Sequence, residues 1–202
     1  MSGENNFKAK DRKVLLLSAG CVAVAIFFDQ LTKFLATALK GQEPLVVIPD
    51  VFEFRYLENQ SAAFSLDLLS ILHRIFHFKY FDAHPNAFLT AKMVFFVVVT
   101  LLVVFFLMAA YCKIPWNRHF LPVNLVILGF LAGALGNMID RIIHRYVIDF
   151  FYFKLINFPV FNVADIYVTV AAFGLIVIIL FVYKDEDFAM LFPTDKKRRQ
   201  KR

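Results

Sequence analysis

Long apolar stretches recur along the chain, separated by segments that carry most of its polar residues. Four of these stretches approach or exceed the ~20 apolar residues that a helix needs to cross a hydrocarbon core about 30 Å thick. The pattern predicts an all-α membrane protein with four transmembrane helices, at residues 14–39, 91–111, 120–139 and 163–183. Because the residues outside the spans are divided among loops and termini and leave no room for a large soluble domain, residues 1–202 are predicted to form a single integral membrane domain.

The loop after the first span carries two other patterns. Phe52, Phe54 and Tyr56 recur at every second position, which predicts a strand and a small sheet lying on the membrane. Farther along, His73 and His77 are four residues apart, a spacing that suits a metal, but no Glu completes a metalloprotease motif. We interpret residues 70–90 as an aromatic segment at the membrane interface, and we predict no metal site.

Composition supports a membrane protein. Hydrophobic residues make up 60% of the chain, against about 45–50% in soluble domains. The net charge of +6 would suggest a nucleic-acid partner in a soluble protein, but here the cations cluster at span ends, so no nucleic acid is predicted. Neither Cys21 nor Cys112 belongs to a C-x-x-C pattern, so neither a disulfide framework nor a zinc site is expected.

The distribution of cations also predicts the orientation. The N-terminus, the 112–119 loop and the basic tail 184–202 carry more Lys and Arg than the two opposite loops, although those loops are longer. By the positive-inside rule both termini then lie in the cytoplasm, and loops 40–90 and 140–162 face outward.

Four carboxylates are predicted to lie at one depth. At 1.5 Å per residue, Asp29 lies about 22 Å from the inner end of the first span, near the outer face. Asp140 ends the third span there, Asp165 begins the fourth there, and Asp149 lies in the loop that joins them. Ionisable residues within a membrane are functional candidates by default, because their burial is costly. The sequence therefore predicts an active site near the outer face.

Local spacing leaves several roles open. Asp29 and Lys33 are four residues apart and are expected to form an ion pair. The pair either neutralises itself at the span end or serves the site, by organising it or by contacting the substrate. Asn137, Asp140 and Arg141 share one helix face, and we interpret them as a structural brace in which Arg141 keeps Asp140 ionised.

The carboxyl of Asp165 has two readings. With Asn162 three residues earlier, Asp165 fits a helix N-terminal capping pattern. It also fits a pair with Asp149, in which two adjacent carboxyls share a proton and perform acid–base hydrolysis. Serines in this chain lack a G-x-S-x-G context, and no Cys–His arrangement or phosphate-binding glycine loop is suggested.

Five ordered sequence blocks resemble the signal peptidase II family, the bacterial lipoprotein signal peptidases. They are Asp29-Gln-Leu-Thr-Lys33, Asn59-Gln-Ser-Ala-Ala-Phe64, Gly133-Ala-Leu-Gly-Asn-Met-Ile-Asp-Arg141, Val147-Ile-Asp-Phe150 and Phe161-Asn-Val-Ala-Asp165. Two departures stand out. Ser61 replaces the family's usual glycine and would be strained if that position requires a positive φ, and residues 70–90 are longer and more aromatic than is usual.

The resemblance implies an aspartyl endopeptidase of the bacterial cytoplasmic (inner) membrane. Such an enzyme removes signal peptides from prolipoproteins by cleaving before the diacylglyceryl-modified cysteine. The implied fold is four transmembrane helices with an extracytoplasmic β-cradle and a short extracytoplasmic helix, acting as a monomer in the lipid bilayer without a cofactor. By motif, Asp149 and Asp165 are the catalytic pair, and the supporting residues are Asp29, Lys33, Asn59, Asn137, Asp140, Arg141 and Asn162.

Two other functions remain to be distinguished from a protease. A proton-coupled carrier would use buried acids as a relay and would place them along the whole depth of the bilayer. A structural membrane protein would need no reactive pair at all.

Overall fold

The computed structural model describes residues 10–61, 68–76 and 79–191. Its helices are, in chain order, α1 (Arg12–Ala36), α2 (Leu68–Phe76), α3 (Lys79–Ala83), α4 (Pro85–Lys113), α5 (Leu121–His144), α6 (Val163–Val177) and α7 (Asp185–Leu191). Its strands are β1 (Leu45–Ile48), β2 (Phe52–Asn59) and β3 (Val147–Phe153). The structure thus confirms the predicted fold class of a helical membrane protein with a small sheet.

Within the described residues, four helical segments are long and apolar enough to cross a membrane. They comprise α1 with the following turn (Arg12–Leu39), α4, α5, and α6 with its π-helical end (Val163–Val182), and their mean hydropathy lies between 1.7 and 3.0. Their lipid-facing surfaces are apolar, as Leu16, Phe34 and Phe106 show by being more than half exposed. In a bilayer, these side chains contact acyl chains rather than water.

Helix α5 is the centre of the bundle, since it contacts α1, α4 and α6. Its packing against α6 is close because Gly133 lies where a Cβ atom would come within 2.5 Å of the carbonyl oxygen of Ala164. Toward the end of the bundle away from the sheet, Tyr111, Phe120 and Leu131 belong to the main apolar core. Small residues at a helix contact allow such close approach, as is common in membrane bundles.

The sheet covers the other end of the bundle. Its three strands are antiparallel in the order β1-β2-β3. Ile148 and Phe150 of β3 point into a second apolar cluster with Ala36 of α1 and Val163 of α6. The sheet is therefore packed onto the helix ends, and β3 lies directly beside the start of α6.

Candidate active site

A sharp turn after α5 carries Asp149 back toward the bundle. Arg145 ends α5 in the left-handed conformation, with φ of 67°, and its N–H donates to the carbonyl of Arg141 at 3.1 Å. This is the geometry of an αL helix end, which satisfies a terminal carbonyl. Strand β3 begins two residues later, so Asp149 follows closely on the helix end.

Strand pairing brings further residues to Asp149. In the β2–β3 register, Leu57 is opposite Asp149 and Asn59 is opposite Val147, so Asn59 and Asp149 are diagonal neighbours on one face. On the other edge of β3, the N–H groups of Phe150 and Phe151 donate to the carbonyl of Phe161. These bonds position the next residue along the chain, Asn162, beside Asp149.

Asn162 contacts both carboxyl groups of the predicted pair. Its side-chain amide donates to Oδ1 of Asp149 at 2.7 Å. Its backbone N–H donates to Oδ2 of Asp165 at 3.1 Å, while its side-chain oxygen accepts from the N–H of Asp165 at 3.0 Å. The last two bonds form the predicted capping box at the start of α6. Capping and proximity to Asp149 are thus compatible, and the structure shows both for Asp165.

Two more asparagines donate to the carboxyl pair. The side-chain amide of Asn59 donates to Oδ2 of Asp149 at 2.8 Å, and that of Asn137 donates to Oδ1 of Asp165 at 2.8 Å. Each carboxyl therefore accepts hydrogen bonds on both of its oxygens. Such bonds favour the ionised form and hold the group in one orientation.

The electrostatic surroundings of Asp149 oppose its ionisation. Its side chain is almost fully buried, with 1% of its surface exposed. Burial, and then the negative charge of Asp165, raise the pKa of Asp149 to about 7, against the lowering effects of Asn59, Asn162 and Lys33. A proton therefore resides on this carboxyl much more readily than on an ordinary aspartate. Asp165 is only partly buried, so it lies on the accessible side of the pair.

A second buried cluster lies beside the carboxyl pair. Lys33 contacts Asp29 at 2.9 Å, Asp140 at 3.0 Å and the side-chain oxygen of Asn137 at 2.9 Å. Asp29 also accepts from the backbone N–H of Ala164 at 2.8 Å. Asp29 and Lys33 thus form the predicted ion pair, and the pair also ties α1 to both α5 and α6.

The predicted pairing of Asp140 with Arg141 is wrong. Asp140 instead pairs with Lys33 and accepts from the backbone N–H of Ile148 at 3.1 Å. Arg141 donates to the carbonyls of Asn137 and Ser61, at 3.3 and 3.2 Å. The two residues are adjacent in sequence and therefore point about 100° apart around the helix, so they enter different contacts. Asp140 connects α1 to β3, whereas Arg141 reaches the chain after β2.

Gln30 belongs to this cluster although the sequence analysis did not select it. Its side-chain amide donates to Asp140 at 2.9 Å, to Asp29 at 3.1 Å and to the carbonyl of Gly136 at 3.2 Å. The signal available was a polar residue within an apolar run, three positions before Lys33 and therefore on the same side of the helix.

The two departures from the family pattern have different outcomes. Among the described residues, the non-glycine positions with positive φ are Asp50, Arg145 and Asn157, so Ser61 adopts no strained backbone. Its N–H donates to the side chain of Asn59 at 2.8 Å. The rest of that block, residues 62–64, lies outside the described residues, as does His77.

The described part of the aromatic segment 70–90 forms α2, α3 and the start of α4. In it, His73 contacts Asp82 at 3.2 Å and packs against Phe88, with the two ring centres 4.8 Å apart. These contacts join α2 to both α3 and α4.

The family is decided by comparison of the whole sequence. The model of a peptidase family described as Signal peptidase (SPase) II matches residues 21–181, which is well over half of the chain. The chain belongs to the signal peptidase II family. The five sequence blocks that suggest this family all lie within the matched range.

Individual relatives agree with the family match. A lipoprotein signal peptidase of Clostridium tetani (strain Massachusetts / E88) is 32% identical over 171 residues, which cover 83% of this chain and 92% of the relative. One from Caldanaerobacter subterraneus subsp. tengcongensis is 36% identical over 155 residues, covering 75% and 87%. A solved bacterial membrane enzyme, determined by the in meso method at 1.9 Å, is 26% identical with a TM-score of 0.64, covering 88% of this chain and 99% of that one.

Proposed function

We propose that this member of the signal peptidase II family is an aspartic endopeptidase whose catalytic pair is Asp149 and Asp165. The observation that carries the proposal is the contact of Asn162 with both carboxyls, together with the raised pKa of Asp149, about 7. Two carboxyls that share one proton supply an acid and a base at the same site.

The pair suits hydrolysis of a peptide bond. The ionised carboxyl removes a proton from a water molecule, and the resulting hydroxide attacks the carbonyl carbon. The protonated carboxyl then donates its proton to the leaving nitrogen as the C–N bond breaks. One proton enters the pair and one leaves it, so the pair returns to its starting charge. Because the protons belong to the pair, the steps are assigned to the pair and not to one residue.

The supporting residues position the pair. Asn59 donates to Asp149 and Asn137 donates to Asp165, so each carboxyl is oriented from a different element. Lys33 donates a hydrogen bond to the side-chain oxygen of Asn137 and so fixes its orientation. Asp29 and Asp140 instead form ion pairs with Lys33, at 2.9 and 3.0 Å, within the buried cluster. We propose that they act through the packing of α1, α5 and β3.

Arg141 differs from these buried groups. It is only partly buried, and its guanidinium lies over the ring of Phe96, 5.2 Å from the ring centre. It thus joins α5 to α4 beside the carboxyl pair. We propose that it keeps the wall of the site in place next to a bound substrate.

The proposed substrate is a prolipoprotein, and the proposed cut falls before its diacylglyceryl-modified cysteine. The relatives named above are lipoprotein signal peptidases, and the motif residues of that family are present here at Asp149 and Asp165. The carboxyl pair lies at the ends of spanning helices, next to the sheet. This is the depth at which a membrane-anchored signal peptide would present its cleavage site near the surface.

We further propose that both termini are cytoplasmic and that the site faces the outer side of a bacterial cytoplasmic membrane. The excess of Lys and Arg at the N-terminus, the 112–119 loop and the tail supports this orientation. The chain is proposed to work as a monomer with one membrane domain, as the resemblance to the signal peptidase II family implies.

The test is cleavage of a lipidated prolipoprotein by purified variants. Asp149→Asn and Asp165→Asn should each lower kcat by at least about 100-fold, because general acid–base catalysis contributes about 10² to 10⁴. Asp50→Asn is the matched control, since its carboxylate is exposed and pairs with Lys154 at the far end of the sheet. Normal processing by either Asp149→Asn or Asp165→Asn, with the protein correctly inserted, would refute the pair.

A further inference from the structure

A groove separate from the carboxyl pair lies between α1 and α5. We call it the inner groove; its walls include Leu17, Cys21 and Val22 of α1 and Leu125 and Leu128 of α5, and its volume is about 390 Å³. Tyr167 of α6 closes the end nearer the sheet, where its hydroxyl donates to the carbonyl of Ala25 at 3.3 Å. The groove therefore lies within the spans and ends about one helical turn before Asp29.

The lining of the inner groove selects an apolar ligand. Most of its side chains are aliphatic. The hydroxyl of Ser18, which also lines the groove, is hydrogen-bonded to the hydroxyl of Tyr111 at 2.5 Å. A polar ligand would lose its hydration in this groove without gaining equivalent partners.

The dimensions of the inner groove suit one acyl chain. The wall from Leu121 to Ala132 rises about 16 Å, which is roughly half of a hydrocarbon core about 30 Å thick. An acyl chain from one leaflet therefore matches the groove in length.

The mouth of the inner groove carries positive charge. Lys13 lies one turn before Leu17 and two turns before Cys21, so it is on the same face of α1. It is exposed, as is the neighbouring Arg12. Trp116 stands at the same end of the groove and is 38% exposed. A cation and a tryptophan at a membrane interface are suited to a negatively charged phosphate headgroup.

We propose that the inner groove binds an anionic phospholipid, with one acyl chain between α1 and α5 and its phosphate at Lys13. The lipid comes from the leaflet that surrounds the N-terminal end of α1. The proposal depends on the fold and on the membrane spans, and it is independent of the proposed catalytic pair. Bound lipid would fill the space between two helices that hold opposite sides of the Asp29–Lys33–Asp140 cluster.

Native mass spectrometry of the full chain in detergent, titrated with phosphatidylglycerol or phosphatidylcholine, tests this site. Cys21→Phe should weaken phosphatidylglycerol binding by about tenfold or more, because the phenyl ring would fill the space in the groove that the lipid's acyl chain needs. Ala23→Phe is the matched control, since Ala23 is exposed on another face of α1. Lys13→Glu should weaken binding by about fivefold or more, and Arg12→Glu by less, because the charge nearest the phosphate contributes most.

Three results would overturn the proposal. Unchanged binding by Cys21→Phe would show that lipid does not occupy the groove. Equal binding of the two lipids by the wild-type chain would refute a headgroup site at Lys13. Disulfide cross-linking of Cys21 between two chains in membranes, without cross-linking of Cys112, would assign the groove to a second copy.

The native cysteines provide a second measurement that does not require a folded variant. Cys21 lines the groove, whereas Cys112 is exposed on α4 and is not one of the lining residues. Phosphatidylglycerol should slow the reaction of a membrane-permeant maleimide with Cys21 and leave Cys112 unaffected. Equal rates with and without the lipid would overturn the site.

Discussion

At the scale of single residues, the buried Asp29–Lys33–Asp140 cluster lies beside more exposed residues of the site. Asp165 and Asn137 are partly exposed, whereas Lys33, Asp29 and Asp140 have at most 1% of their surface exposed. A lysine buried this deeply is tolerated only with partners of opposite charge. Lys33 satisfies that condition, because its Nζ lies 2.9 Å from a carboxylate oxygen of Asp29 and 3.0 Å from one of Asp140. The Asp29–Lys33–Asp140 cluster is therefore an electrostatic unit whose members depend on one another.

Lys33→Met tests this dependence. The variant leaves two buried carboxylates without their cation, and breaking a buried pair in this way costs about 3–5 kcal/mol. We expect a large fall in the thermal unfolding temperature in detergent. Lys40→Met is the control, because Lys40 forms an exposed ion pair with Glu58 and should change the unfolding temperature little. Equal unfolding temperatures for the two variants would contradict a stabilising role of the Asp29–Lys33–Asp140 cluster.

The sequence predicted residue contacts within one helix better than contacts between helices. Asp29 with Lys33, and Asn162 with Asp165, follow from helical spacing, and the structure has both. The pairing of Asp140 with Arg141 was inferred from adjacency and is wrong, because the partner of Asp140 comes from α1. Spacing along one helix carries no information on which face of a distant helix will approach.

At the scale of elements, the close contact of α5 with α6 positions the carboxyl pair. Asn137 is on α5 and Asp165 is on α6, and their hydrogen bond of 2.8 Å requires a short distance between the helices. Gly133 permits that distance one turn below Asn137. The apolar pattern of the sequence predicted both helices, but the depth of their contact depends on side-chain volume at one position.

Gly133→Ala should separate the two helices. The new Cβ would lie 2.5 Å from both the Ala164 carbonyl oxygen and Cγ2 of Val168, and the first of these is backbone. Overpacking of this kind typically costs about 1–3 kcal/mol. We expect a lower unfolding temperature and slower cleavage. Gly20→Ala is the control, since no atom lies within 4 Å of its added Cβ. An equal fall in unfolding temperature and cleavage rate in both variants would contradict the close contact of α5 with α6.

At the scale of the whole molecule, four spans and one sheet place the described site at one end of the bundle. The number of spans and the convergence of the carboxylates were predictable because hydropathy and helical rise are properties of the sequence alone. The turn that returns Asp149 to α6 was not, since it depends on Arg145 adopting a positive φ and on β3 pairing with β2. Both features are set by tertiary contacts.

Labelling of intact cells tests the proposed orientation. A membrane-impermeant maleimide should react with Glu43→Cys, which is exposed in the loop before β1, and should not react with native Cys112 at the opposite end of α4. After lysis both thiols should react. If Cys112 reacted in intact cells and Glu43→Cys did not, the orientation would be opposite to the one proposed.

The proton sharing proposed for Asp149 and Asp165 is tested most directly by the pH dependence of kcat. With the pKa of Asp149 at about 7, the pair keeps its proton below that pH and loses it above, so kcat should fall as the pH rises through about 7. The amide of Asn59 stabilises ionised Asp149 and lowers its pKa. Asn59→Ala should therefore move the fall to higher pH, whatever its effect on the maximum rate. A kcat that stays constant well above pH 7, or a fall that Asn59→Ala leaves in place, would contradict catalysis by this pair.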